Sequence, residues 1–108
     1  MITIPTRALA ASTISVTLEG IPYLFTFKWN VRGAYYTLDI STRDAVLLVG
    51  GIKVVINSGL TRKFPGPGMP PGELLAIDAS GGNAPITFDD LEERVELVYM
   101  TDEEYAAI

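Results

Sequence analysis

The chain has 108 residues, a net charge of −5, and neither histidine nor cysteine. Without cysteine it has no disulfide, thiolate metal site or thiol nucleophile, and without histidine it lacks the commonest general base and metal ligand. Its acidic balance argues against a nucleic-acid binder, which carries a basic surplus.

Taken from the N-terminus, the opening "MITIPTRALAAS" has small residues like a signal cleavage site, but Pro5 and Arg7 break any apolar core before it. No signal peptide is expected. "TISVTL" and "IPYLFTFKW" read as two strands joined by a tight hairpin at Glu19-Gly20, with glycine supplying a positive φ. In the second strand Tyr23, Phe25, Phe27 and Trp29 share one face by period-two alternation. Residues 30–33, "NVRG", form a second hairpin loop before "AYYTLDI", whose core face is Tyr36, Leu38 and Ile40. Residues 41–44, "STRD", form a third. The run "AVLLVGGIKVVI" is twelve residues long and contains Lys53, against about twenty apolar residues for a membrane span. Its Gly50-Gly51 pair predicts a bend or bulge rather than continuous strand, and Asn57-Ser58-Gly59 closes it.

The stretch "RKFPGPGMPPGELL" then poses a choice between linker and loop. Cutting there leaves about 61 and about 37 residues, and the second piece is too small to fold without a metal or disulfide. We therefore expect one β-rich domain over residues 1–108, with a long Pro/Gly loop at 64–72. Such a loop is long for a compact domain; its prolines limit the entropy lost on ordering, and Met69 is a soft apolar contact. It suits docking onto a partner or, equally, a spacer between sheets. Downstream, "TFDDLEE" predicts one short helical turn near residues 88–93, with a Thr or Asp cap and acids in its first turn. "RVELVYM" returns to strand with Val95, Leu97 and Tyr99 inward, and residues 101–108 read as a capped turn or a flexible tail. Short strands punctuated every eight to twelve residues predict an all-β fold, a small antiparallel barrel or sandwich of about 6–8 strands.

Catalysis finds little to build on. The serines have no histidine partner, and neither Lys28 nor Lys53 sits in a nucleophile motif. Acid pairs between residues 89 and 104 follow from density alone, and a glycosidase needs a longer cleft than this chain can build. "DASGGN" at 78–83 lacks the alternating ligands and closing glutamate of a calcium loop. Trp29, Tyr35 and Tyr36 could stack on sugars or bases, although cross-strand packing accounts for them better. Charge is unevenly spread: residues 1–72 carry seven basic and three acidic side chains, residues 73–108 one basic and ten acidic. The acidic half is either a solvated face or a complement to a basic neighbour. The 48% hydrophobic content fits a subunit that hides surface against others.

"MITIP", "SVTLEGIPYLFTFKWNVRGAYYTLDIS", "GGIKVVINSGLTRKF", "GELLAIDASG" and "PITFDDLEERVELVYM" follow one another in an order that resembles a family of small tail proteins. These are the baseplate plug (inner baseplate) proteins of contractile-tailed bacteriophages, similar to the plug of a cyanophage baseplate. The pieces that weigh most are Tyr36 to Ile40, Gly72 to Asp78 and Asp89 to Tyr99; Tyr35-Tyr36 stands where a tryptophan is common before the Leu-Asp pair. The resemblance spans about residues 1–100. It implies a virion structural protein of the tail baseplate, assembled in the host cytoplasm, with no catalysis, no cofactor, no metal, no nucleic-acid recognition and no membrane insertion. Its implied partners are other baseplate proteins (hub, spike, tail tube or wedge) in a symmetric multi-copy assembly. From the residues, the candidate partner interface is Phe64, Pro65, Pro67, Met69 and Pro70 in the loop, with Asp89, Asp90, Glu92 and Glu93 in the acidic segment. The alternative is a stand-alone carbohydrate- or ligand-binding β-module.

Overall fold

The computed structural model describes residues 2–106 apart from Ser58, Arg62, Lys63, Pro65, Pro67, Asn83 and Glu92, and of Tyr105 and Ala106 only the backbone. Seven strands build two antiparallel sheets. One is a meander of β2 (Ala11–Leu18), β3 (Ile21–Asn30), β4 (Tyr35–Thr42) and β5 (Leu47–Lys53), in that order. The other sets β7 (Val95–Met100) between β1 (Ile2–Ile4) and β6 (Glu73–Asp78). The core combines Tyr23, Phe25, Tyr36, Leu38 and Ile40 from the first sheet with Ile4, Leu74, Ala76, Leu97 and Tyr99 from the second.

Of the two architectures expected, the sandwich is the one that forms, and the described residues close no barrel. Closure needs the outer strands of one continuous sheet to pair. Among the described residues the two backbone ladders meet where the chain leaves β5. The Val54 N–H still bonds the Tyr36 carbonyl at 2.9 Å, and the Asn57 N–H already bonds the Ala76 carbonyl of β6 at 2.9 Å. A single parallel bridge, Ile56 to Ala76, marks the crossing.

The meander follows the alternation in its sequence. Tyr23, Phe25 and Phe27 are buried on β3, as are Tyr36, Leu38 and Ile40 on β4, and each contributes roughly 1.5–3 kcal/mol by leaving water. Glu19 and Gly20 both take positive φ, 50° and 83°, the turn whose twist matches that of the flanking strands. In the next loop the Asn30 carbonyl accepts the Ala34 N–H at 2.8 Å and its side chain accepts the Gly33 N–H at 2.9 Å. The Gly50-Gly51 pair does produce a bulge, yet β5 runs through it. Register shifts opposite Ile40, Gly51 takes φ +73°, and its N–H donates to Asp39 Oδ1 at 2.8 Å.

The second sheet departs further from simple alternation. Val95, Leu97 and Tyr99 are buried as expected, but so are Val98 and Met100, so that β7 is covered on both faces. Strand β1 is too short, at three residues, to show a period. The helical turn is a 3-10 turn at Phe88–Asp90. The C-terminal residues form a short helix, α1 (Asp102–Ala106), with reciprocal bonds between Thr101 and Glu104 at its start.

Candidate partner interface

The chain returns from β5 to β6 along residues 57–72, and the structure ties much of that path to the body. The Leu60 N–H bonds the Leu74 carbonyl at 3.0 Å. Thr61 donates its N–H and its hydroxyl to Glu73 Oε1 at 2.8 and 3.0 Å, and the Leu74 N–H bonds the Thr61 hydroxyl at 3.2 Å. Glu73 is only 2% exposed, so its carboxylate serves these inner donors rather than solvent. At the far end the Tyr23 hydroxyl donates to the Gly68 carbonyl at 3.1 Å, and the Gly72 N–H donates to the Tyr99 hydroxyl at 2.7 Å. That hydroxyl in turn donates to Glu19. Burial, then the Glu19 carboxylate, raises the Tyr99 phenol above its ordinary range and holds it as the neutral donor.

This anchoring sorts the predicted loop contacts. Met69 packs against the core and Pro70 is buried, so neither is offered outward. Phe64 is 40% exposed, Gly66 and Gly68 face solvent, and Pro65 and Pro67 lie outside the described residues. Several apolar side chains absent from the sequence expectation are more exposed than Phe64, and two of these adjoin each other in sequence. They are Val46 and Leu47, 61% and 60% exposed at the start of β5. Their neighbour Leu48 reaches the same loop, since a Cβ on Gly68 would sit 3.2 Å from it. The signal was legible: "AVLLV" directly follows a turn, where polar residues are the rule.

In the acidic segment Arg94 divides the carboxylates. It pairs with Asp78 at the end of β6 and with Asp90 at 2.7 Å, and it also donates to the Pro85 carbonyl at 3.1 Å. Asp90 further accepts the Thr87 N–H at 2.7 Å and hydroxyl at 2.9 Å. These bonds, Arg94 first, hold the Asp90 carboxyl down at about 2, and the two carboxylates push the Arg94 guanidinium above its usual value. Asp78 is occupied by Ser80 and Arg94, which removes it from any calcium loop. Asp90 is therefore a structural clamp, whereas Asp89 and Glu93 stand exposed. Glu92 lies outside the described residues.

The aromatic residues do not form a sugar platform. Trp29 meets Tyr36 edge-on at 4.9 Å and Phe88 edge-on at 5.6 Å, and the Tyr36 hydroxyl donates to the Phe88 carbonyl. Tyr35 stands apart with the Lys53 ammonium 4.9 Å above its ring, at the rim of a cleft of about 350 Å³ also lined by Val55, Ile56 and Pro85. Among the described residues no cluster of acidic side chains is arranged to hold a metal, and no helix is long and apolar enough to cross a membrane.

The structure thus pins the surface loop to the body and sorts the acids into clamps and exposed charges. The family model described as "Cyanophage baseplate Pam3 plug gp18" matches residues 1–103 of the chain. The chain belongs to this family. Membership in the baseplate plug family gives it a structural part in a bacteriophage baseplate and points away from catalysis. A search of curated proteins gives no match. For this plug-family chain, the match runs from β1 to the start of α1.

Proposed function

We propose that this protein is a single-domain subunit of the tail baseplate that acts through protein–protein contacts in a symmetric, multi-copy assembly formed in the host cytoplasm. The family match over residues 1–103 carries this reading. Two surfaces support it. One is the set of exposed apolar side chains Val46, Leu47 and Phe64, which meets an apolar groove on a neighbouring baseplate protein of the hub, spike, tube or wedge. The other is the exposed acids of the C-terminal segment, Asp89, Glu93, Glu96, Asp102 and Glu103, which meet a basic surface and steer docking.

The test is to combine Phe64→Asp with Leu47→Asp, and separately Asp89→Lys with Glu93→Lys, in the full chain. Each pair changes exposed side chains, so folding stability moves by less than about 1 kcal/mol. Incorporation into baseplates, followed by copy number in purified tails, is expected to fall sharply for both pairs. Normal incorporation of both would defeat the contact surfaces named here.

A further inference from the structure

Strand β2 ends its sheet, and among the described residues only β3 pairs with it. Edge strands in soluble proteins are blunted by lysine, proline, bulges or short length. β2 shows none of these. It is eight residues long, pairs with β3 without a register break, and lies in a charge-free run from Ala8 to Leu18.

The direction of its free backbone groups follows from the hairpin. Leu18 and Ile21 flank a two-residue turn and so exchange both their backbone bonds, and bonding then alternates along the ladder. Even-numbered residues of β2 bond toward β3, in agreement with the Trp29 N–H on the Ala10 carbonyl at 2.9 Å. The N–H and C=O groups of Ala11, Thr13, Ser15 and Thr17 therefore point to the open edge.

We infer that this edge binds a second copy of the same chain, β2 against β2 and antiparallel, with Thr13 opposite its own symmetry mate. Thr13 then exchanges bonds with Thr13, and Ala11 with Ser15 at both ends, giving about six backbone hydrogen bonds. Charge favours the antiparallel arrangement. Arg7 and Glu19 lie beyond opposite ends of the strand, so each copy's arginine end meets the other's glutamate end, and a one-residue slip turns the inner face outward. The same register sets Ser12 beside Ile14 of the second copy, covering an isoleucine that is half-buried at the rim of the core. The absence of charge in between leaves two acidic molecules nothing to repel at the seam.

The contact is small, so the dimer is weak, with a dissociation constant on the order of micromolar or above. Because the chain has no cysteine, Thr13→Cys gives a clean probe. Directly paired residues stand about 5.5 Å apart at Cα, within disulfide reach. Mild oxidation is expected to trap Thr13→Cys as a covalent dimer, while Thr17→Cys, whose opposite residue is Leu9, stays monomeric. Sedimentation of the unmodified chain is expected to rise from 11.7 kDa toward twice that mass with concentration.

Thr13→Pro removes an outward N–H, together with the hydroxyl contact to Thr26, and is expected to abolish dimerisation; Ser15→Lys serves the same purpose should the proline disturb the strand. Arg7→Glu is expected to weaken the dimer at least several-fold. A chain that stays monomeric at every concentration overturns the inference. So do equal trapping of Thr13→Cys and Thr17→Cys, and an edge occupied only by a strand of another protein.

Discussion

Gly72 shows how little room a single position can have. A Cβ there would lie 2.1 Å from the Met100 carbonyl oxygen and 2.6 Å from the Tyr99 hydroxyl, and backbone cannot step aside as a side chain can. Gly72→Ala is expected to cost about 1–3 kcal/mol or more by overpacking and by loss of the bond to Tyr99. Gly20 has nothing near its missing Cβ but a φ of +83°, so Gly20→Ala costs only about 1–2 kcal/mol of backbone strain. Denaturant melts of the two variants check the order. Asp90 gives a pH prediction. Its carboxyl sits at about 2 when folded against 3.8 ordinarily. A depressed carboxyl stabilises the fold fully above its unfolded value and loses that effect as pH falls through the folded one. The clamp on Arg94 should therefore hold to pH 4 and fail between about 4 and about 2. In Arg94→Ala the acid transition is expected to move upward in pH, read by circular dichroism on titration.

At the scale of elements, the 3-10 turn is fixed at both ends, by the Thr87–Asp90–Arg94 bonds and by Phe88 packed on Trp29 and Tyr36. Phe88→Ala is expected to destabilise by about 2–4 kcal/mol, less than a fully buried phenylalanine at the top of that range. The lone tryptophan makes the change visible as a shift in fluorescence. The long connection between β5 and β6 behaves similarly. Deleting residues 66–70 takes away the Gly68 carbonyl that receives the Tyr23 hydroxyl, and Met69 and Pro70 from the core side. Loss of about 2–5 kcal/mol is expected, because the connection is bonded to the body on both sides of the deleted stretch.

For the molecule as a whole, both sheets share one core, and neither covers its apolar face alone. Phe25, fully buried in the first sheet, therefore supports the second. Phe25→Ala is expected to cost about 3–5 kcal/mol and to lower unfolding of both sheets together. A single transition, with matching midpoints from Trp29 fluorescence and from amide exchange on β6 and β7, is the outcome that makes the chain one domain; separate midpoints would divide it.

The amino-acid sequence by itself determined the meander. Alternating aromatic and branched residues from Thr13 to Ile40, with Glu19-Gly20 between them, specify local pairing, because side-chain period and turn chemistry are local properties. The family likeness, carried by the order of short pieces along the chain, was legible for the same reason. Only tertiary structure decided that the sheets stay open rather than closing, since that depends on where residues 54–57 cross from Tyr36 to Ala76. It also decided that Met69 and Pro70 turn inward and that Asp90 is taken by Arg94 while Asp89 is left to solvent. Each of these outcomes rests on a partner distant in sequence or on the direction of a side chain, and neither period nor composition encodes which of two adjacent carboxylates an arginine will reach.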